Sequence, residues 1–95
     1  MITQYTIFGQ VIQILPKKKL YKKGSIGLWK PNQNIICYQK AIPEYKMSVA
    51  NIDQTICHEI IHSWLDKIGY ENLSEDEKLV DLLGSCLNEF ITSKK

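Results

Sequence analysis

The spacing of apolar residues along this chain changes once, near its middle. Residues 2–15 are rich in Ile, Val, Tyr, Thr and Phe, interrupted by Gly9 and closed by Pro16. That composition predicts one long strand bent at Gly9, or two short ones. Ile26-Gly27-Leu28-Trp29-Lys30 and Ile35-Ile36-Cys37-Tyr38-Gln39 flank a Pro31-Asn32-Gln33-Asn34 turn and predict a β-hairpin. From about residue 51 the period lengthens from two to about 3.6. Ile52, Ile56, Ile60, Ile61, Trp64, Leu65 and Ile68 then form a broad apolar helix face that Gly69 ends. Asn51 and Gln54 resemble a capping pair at its start, and Asp53 suits the positive end of the helix dipole. A second helix is predicted from Ser74, with Glu75, Asp76 and Glu77 in its first turn and apolar positions from Leu79 to Ile91. Strands followed by helices indicate an α+β fold, with a small N-terminal antiparallel sheet of about three strands packed on two C-terminal helices. Residues 1–95 read as a single domain, strand-rich over 1–47 and helical over 48–95.

Composition sharpens this only a little. A chain of 95 residues with 44% hydrophobic and 23% charged residues is ordinary for one globular domain with one modest core. No apolar run approaches the roughly 18 residues of a membrane span. The N-terminal residues lack the basic-then-apolar order of a signal peptide, so a cytoplasmic location is expected. Cys37, Cys57 and Cys86 are odd in number and scattered, which suits reduced thiols. The net charge of +2 conceals a division: residues 1–47 carry eight Lys against Glu44, and residues 48–95 carry four Lys against nine acids. The basic excess peaks at Lys17–Lys23. With no arginine in the chain, bidentate contacts to phosphate or guanine are missing, and the run reads as a solvated loop rather than a nucleic-acid surface.

The candidate chemistry lies in one string. The two histidines of the chain occur together in His58-Glu59-Ile60-Ile61-His62, on the first predicted helix. Residues at i and i+4 project from one helix face, so two imidazoles at this spacing converge on one metal ion. Glu59 follows the first of them and is placed to act as general base on a water at that ion. A catalytic zinc uses three protein ligands, and the third must come from a carboxylate. Glu77, Asp81, Gly84 and Asn88 form a single stripe on the second helix, bordering its apolar face. Glu77 is the preferred ligand, with Glu75 and Asp76 as alternatives. Asp81, one turn on, would hydrogen-bond the far nitrogen of a liganding histidine, and Gly84 would let the two helix backbones approach. A second role competes for Glu77, since Ser74-Glu75-Asp76-Glu77 is also a capping box. Asp66, one turn after His62, is either a second contact to that histidine or a solvated acid. Trp29, Tyr38, Tyr45, Trp64 and Tyr70 are expected in or beside the core.

His58-Glu59-Ile60-Ile61-His62 followed by Glu77-Lys78-Leu79-Val80-Asp81 resembles the H-E-x-x-H then E-x-x-x-D arrangement of gluzincin metallopeptidases. The chain is most similar to the small zincin-like proteins of bacteria and their phages, including the ImmA/IrrE type, over roughly residues 50–91. The resemblance implies a zinc site with Glu59 as catalytic base, Glu77 as third ligand and Asp81 supporting a histidine. It also implies a twisted sheet over the active-site helix, one exposed strand of which receives a peptide or protein substrate. Ile35–Gln39 is the candidate strand. The alternative is a catalytically silent, zinc-stabilised binding or regulatory protein, including one of phage origin.

Overall fold

The computed structural model of the chain describes residues 2–17, 26–39, 41–42, 45–46 and 49–93. Its elements run β1 (Gln4–Ile7), β2 (Gln10–Lys17), β3 (Gly27–Lys30), β4 (Ile35–Gln39), β5 (Ala41–Ile42), β6 (Tyr45–Lys46), α1 (Val49–Lys67), α2 (Glu71–Ser74) and α3 (Glu77–Ser93). The fold is α+β, as the change of period predicts. The lysine run beyond Lys17 lies outside the described residues.

The first apolar run folds into two strands. Phe8 and Gly9 both take positive φ, 50° and 78°, the backbone of a tight hairpin turn whose twist matches that of β1 and β2. Pro16 does not end β2 as expected, because its missing N–H costs the ladder nothing. Gln13 N–H points to the β4 side, donating to Asn34 O at 3.1 Å, and Ile14 N–H points to the β1 side, donating to Thr3 O at 2.9 Å. By alternation the Pro16 nitrogen also faces the β1 side, where β1 pairs only as far as Gln13.

The sheet differs in detail from the expected antiparallel sheet of about three strands. It has four strands in the order β1-β2-β4-β3, and β2 runs parallel to β4. The predicted hairpin of β3 and β4 forms, with Gly27 opposite Tyr38 and Lys30 opposite Ile35. It docks with β4 inward, leaving β3 on the outside. Alternation of apolar residues reports which side chains face the core but not which strand lies beside which, so the pattern is equally compatible with either docking. β5 and β6 pair separately.

Ile12, Ile14, Trp29, Ile36 and Tyr38 from the sheet meet Ile52, Ile56 and Ile60 of α1 in one buried cluster. α1 begins at Val49, and Gln54 does not cap it; the Gln54 amide instead donates to Ser85 Oγ of α3 at 3.0 Å. Gly69, φ 90°, ends α1 as expected, with Tyr70 N–H on Leu65 O at 2.8 Å and Gly69 N–H on Asp66 O at 3.2 Å. One extra turn, α2, precedes α3, so the described residues form three helices rather than two. Trp29 and Tyr38 are buried, but Trp64 and Tyr70 are exposed. The side chain of Tyr45 is outside the described part. No helix is long and apolar enough to cross a membrane among the described residues.

Candidate metal centre

α1 presents a different stripe to each neighbour. Ile52, Ile56 and Ile60 enter the core, Thr55 and Glu59 face β3, and His58 and His62 face α3. The last contact depends on close approach. A β-carbon on Gly84 would stand 3.1 Å from His58 Cα and 3.2 Å from His58 N, tighter than most such contacts, so the glycine eases the approach of α3 to the histidine backbone.

Across that junction His58 Nε2 stands 3.1 Å from Glu77 Oε2, and His62 Nε2 stands 3.1 Å from Glu77 Oε1. The imidazole centroids are 4.9 Å apart with their planes at 69°. His58, His62 and Glu77 each offer one donor atom, all within 4.8 Å of one another, close enough to hold a metal ion. The capping rivalry over Glu77 is resolved locally: Leu79 N–H donates to Asp76 Oδ1 at 3.1 Å and Val80 N–H to Asp76 O at 2.9 Å. Asp76 therefore caps α3, and the Glu77 carboxylate turns toward α1. Neither Glu75 nor Asp76 joins the histidines.

The far nitrogens are also engaged. Asp81 Oδ1 lies 2.7 Å from His58 Nδ1 and accepts its proton. Ser74 Oγ lies 3.0 Å from His62 Nδ1 and can accept there, while its own hydroxyl faces His62 O at 3.4 Å. Ser74 is buried, and the sequence pattern offered it only as a cap. Asp66 neither contacts His62 nor stands free in solvent: half-buried, it accepts from the Trp29 indole Nε1 at 2.7 Å and ties β3 to α1.

With both Nδ1 atoms donating, both Nε2 atoms carry lone pairs. Those lone pairs then face two carboxylate oxygens at 3.1 Å, a repulsive arrangement that a proton on each ring or a single shared cation relieves. The spacing suits a cation. Ligands bound to zinc at about 2.0–2.1 Å in tetrahedral geometry stand roughly 3.3 Å apart. Two imidazoles and one carboxylate also match the donor set of a catalytic rather than a closed structural zinc site.

Glu59 lies beside this group in a different environment. The residue is buried, at 8% exposure, whereas the Glu77 side chain is 66% exposed. Burial pushes the Glu59 carboxyl up to about 7, with Glu77 adding to the rise and His58 and the Trp29 N–H opposing it. Glu59, the two histidines, Glu77 and Asp81 line one cleft of about 640 Å³, whose opposite wall is Ile26, Leu28, Trp29 and Pro31.

The strand beside this cleft is β3. Ile35–Gln39, the expected substrate strand, is β4, which is paired on both sides and has no free edge to offer. Gly27 was also not singled out by the sequence pattern, although a glycine inside a strand run signals close approach of a neighbour. Comparison of the chain with protein-family models, with curated proteins and with solved structures finds no match, so the functional reading rests on the site itself.

Proposed function

We propose that this chain is a zinc-dependent hydrolase of peptide bonds, with His58, His62 and Glu77 as metal ligands and Glu59 as general base. The observation that carries the proposal is the pairing of two unlike sites. Two Nε2 atoms and a carboxylate converge with their outer hydrogen bonds in place. A buried carboxylate with a raised pKa lies in the same cleft.

Zn²⁺, when bound, supplies Lewis acidity at the scissile carbonyl and at the attacking water. Asp81 and Ser74 hold the imidazoles in the tautomer that leaves Nε2 free to bind metal. Glu59 takes the proton of the attacking water and later delivers it to the leaving amine, and a carboxyl near neutrality suits both transfers. The outer edge of β3 borders the cleft, and a peptide substrate would lie along it.

Purified chain should cleave a quenched fluorescent peptide library, lose that activity to chelator and regain it with Zn²⁺. Glu59→Gln should retain zinc but lose about 10²–10⁴-fold in hydrolysis, the usual range for a general base. Hydrolysis by Glu59→Gln at the parent rate would remove Glu59 from the mechanism.

One observation favours a second reading, a zinc-stabilised binding protein without catalysis. The three donors tie α1 to α3 in a small domain, so metal would cross-link the fold. A large fall in Tm on chelation, without hydrolysis of any library peptide, would favour that reading over the first.

A further inference from the structure

The register of β3 shows which way each backbone group points. Gln39 N–H donates to Ile26 O at 2.8 Å, so Ile26 is one of the residues whose backbone bonds to β4. Such positions alternate along an antiparallel pair. With Gly27 opposite Tyr38 and Trp29 opposite Ile36, the polar backbone of Leu28 turns to β4, whereas that of Gly27 and Trp29 turns outward. The outward Trp29 N–H is directed toward the Glu59 carboxylate.

Gly27 makes this contact possible. A β-carbon there would stand 2.6 Å from Thr55 Cγ2, 3.0 Å from Glu59 Oε2 and 3.1 Å from Glu59 Cγ. Positive φ occurs at Gly9 and Gly69 among the described glycines, not at Gly27, so space rather than backbone conformation requires glycine at this position. The strand has little freedom to lift away, since Trp29 is buried and its indole is bonded to Asp66.

We propose that Gly27 is a positioning residue for Glu59: its missing side chain opens the slot in which the Glu59 carboxylate lies along the outer edge of β3 and accepts the Trp29 N–H. The catalytic consequence rests on the hydrolase reading above, but the slot does not. Filling the slot displaces the carboxylate and leaves His58, His62 and Glu77, which belong to the α1–α3 junction, where they are. The same hydrogen bond occupies an N–H that a strand-shaped substrate would otherwise use, so such a substrate must pair around Glu59 or dislodge it.

The test uses a background that separates steric collapse from positioning. Thr55→Ser removes the methyl that a β-carbon would strike at 2.6 Å, while keeping the hydroxyl bonded to Asn51 O at 2.8 Å. T55S and T55S/G27A are compared in three measurements: the Trp29 backbone amide proton shift in ¹H–¹⁵N spectra, zinc affinity by chelator competition, and kcat and KM on the peptide library. In T55S/G27A the Trp29 amide proton should move upfield, as it does in Glu59→Ala. Zinc affinity should stay within about threefold, and kcat should fall at least tenfold with KM little changed. A Trp29 amide that moves in Glu59→Ala but not in T55S/G27A overturns the proposal, as does a kcat equal to that of T55S in an active enzyme. If no variant hydrolyses peptide, the amide shift still decides the slot, and only the hydrolase reading fails.

Discussion

The two flanks of α1 solve different problems with the same device. On the α3 side, Gly84 brings two helices close enough for His58, His62 and Glu77 to converge in a polar region, where the Glu77 side chain is 66% exposed. On the β3 side, Gly27 brings strand and helix close enough to bury Glu59. One flank gathers three side chains close enough to hold a metal ion, with their outer hydrogen bonds made. The other desolvates a single acid and raises its pKa. Adjacent residues on one helix therefore belong to different interfaces, and the two functions should be separable by mutation.

The largest expected effect is on the α3 flank. His62→Ala removes a donor and should weaken zinc binding by more than the roughly 10–100-fold that follows loss of a ligand's hydrogen-bond partner. Isothermal titration with Zn²⁺ measures it, and parental affinity in this variant would dissolve the proposed ligand set.

The next effect belongs to the β3 flank and appears in the metal-free protein. Burial raises the Glu59 carboxyl from the ordinary range to about 7, so between roughly pH 4.5 and 7 the folded state binds more protons than the unfolded chain. Stability from this group is thus fully present below that window and is lost as pH rises through it, at up to about 1.4 kcal/mol per pH unit. Urea denaturation of chelated parent and Glu59→Gln should diverge across the window, with the parent falling more steeply. Parallel pH profiles would mean that Glu59 is not desolvated as described.

Gly84→Ala tests the α3 junction without touching a donor. The new β-carbon meets helix backbone rather than a flexible side-chain end, so α3 must shift outward. A loss of about 1–2 kcal/mol in urea denaturation is expected, because overpacking exceeds the gain in helix propensity. Weaker zinc binding should accompany it, in contrast to the zinc-neutral change expected at Gly27. Smaller still, Ser74→Ala and Asp81→Ala should each weaken zinc binding about tenfold by freeing one imidazole to rotate. Chelator competition resolves changes of that size, and an unchanged affinity in Ser74→Ala would make its contact with His62 incidental.

Much of this molecule is legible from residue spacing because the relevant geometry is local. The i, i+4 relation puts His58 and His62 on one face whatever surrounds the helix, and it puts Glu77, Asp81 and Gly84 on one stripe. The change of apolar period marks where sheet gives way to helix, and Gly69 marks where α1 stops. These statements follow from bond geometry within a few residues.

Other features were decided only when distant segments met. Direction and neighbour choice in the sheet are not encoded in alternation, so the parallel pairing of β2 with β4 and the outer position of β3 required the folded chain. Asp76 rather than Ser74 caps α3 because the chain inserts the turn α2, which frees Ser74 to meet His62 from twelve residues away. Asp66 is drawn to the Trp29 indole and Glu59 to the slot beside Gly27. Side-chain periodicity specifies which residues share a face, whereas the identity of the opposing surface depends on how whole elements pack. Near the histidines, the sequence alone put His58 and His62 on one face and left three carboxylates as their possible partner; the tertiary structure decided which carboxylate turns toward them, what holds the imidazoles and where the neighbouring acid is buried.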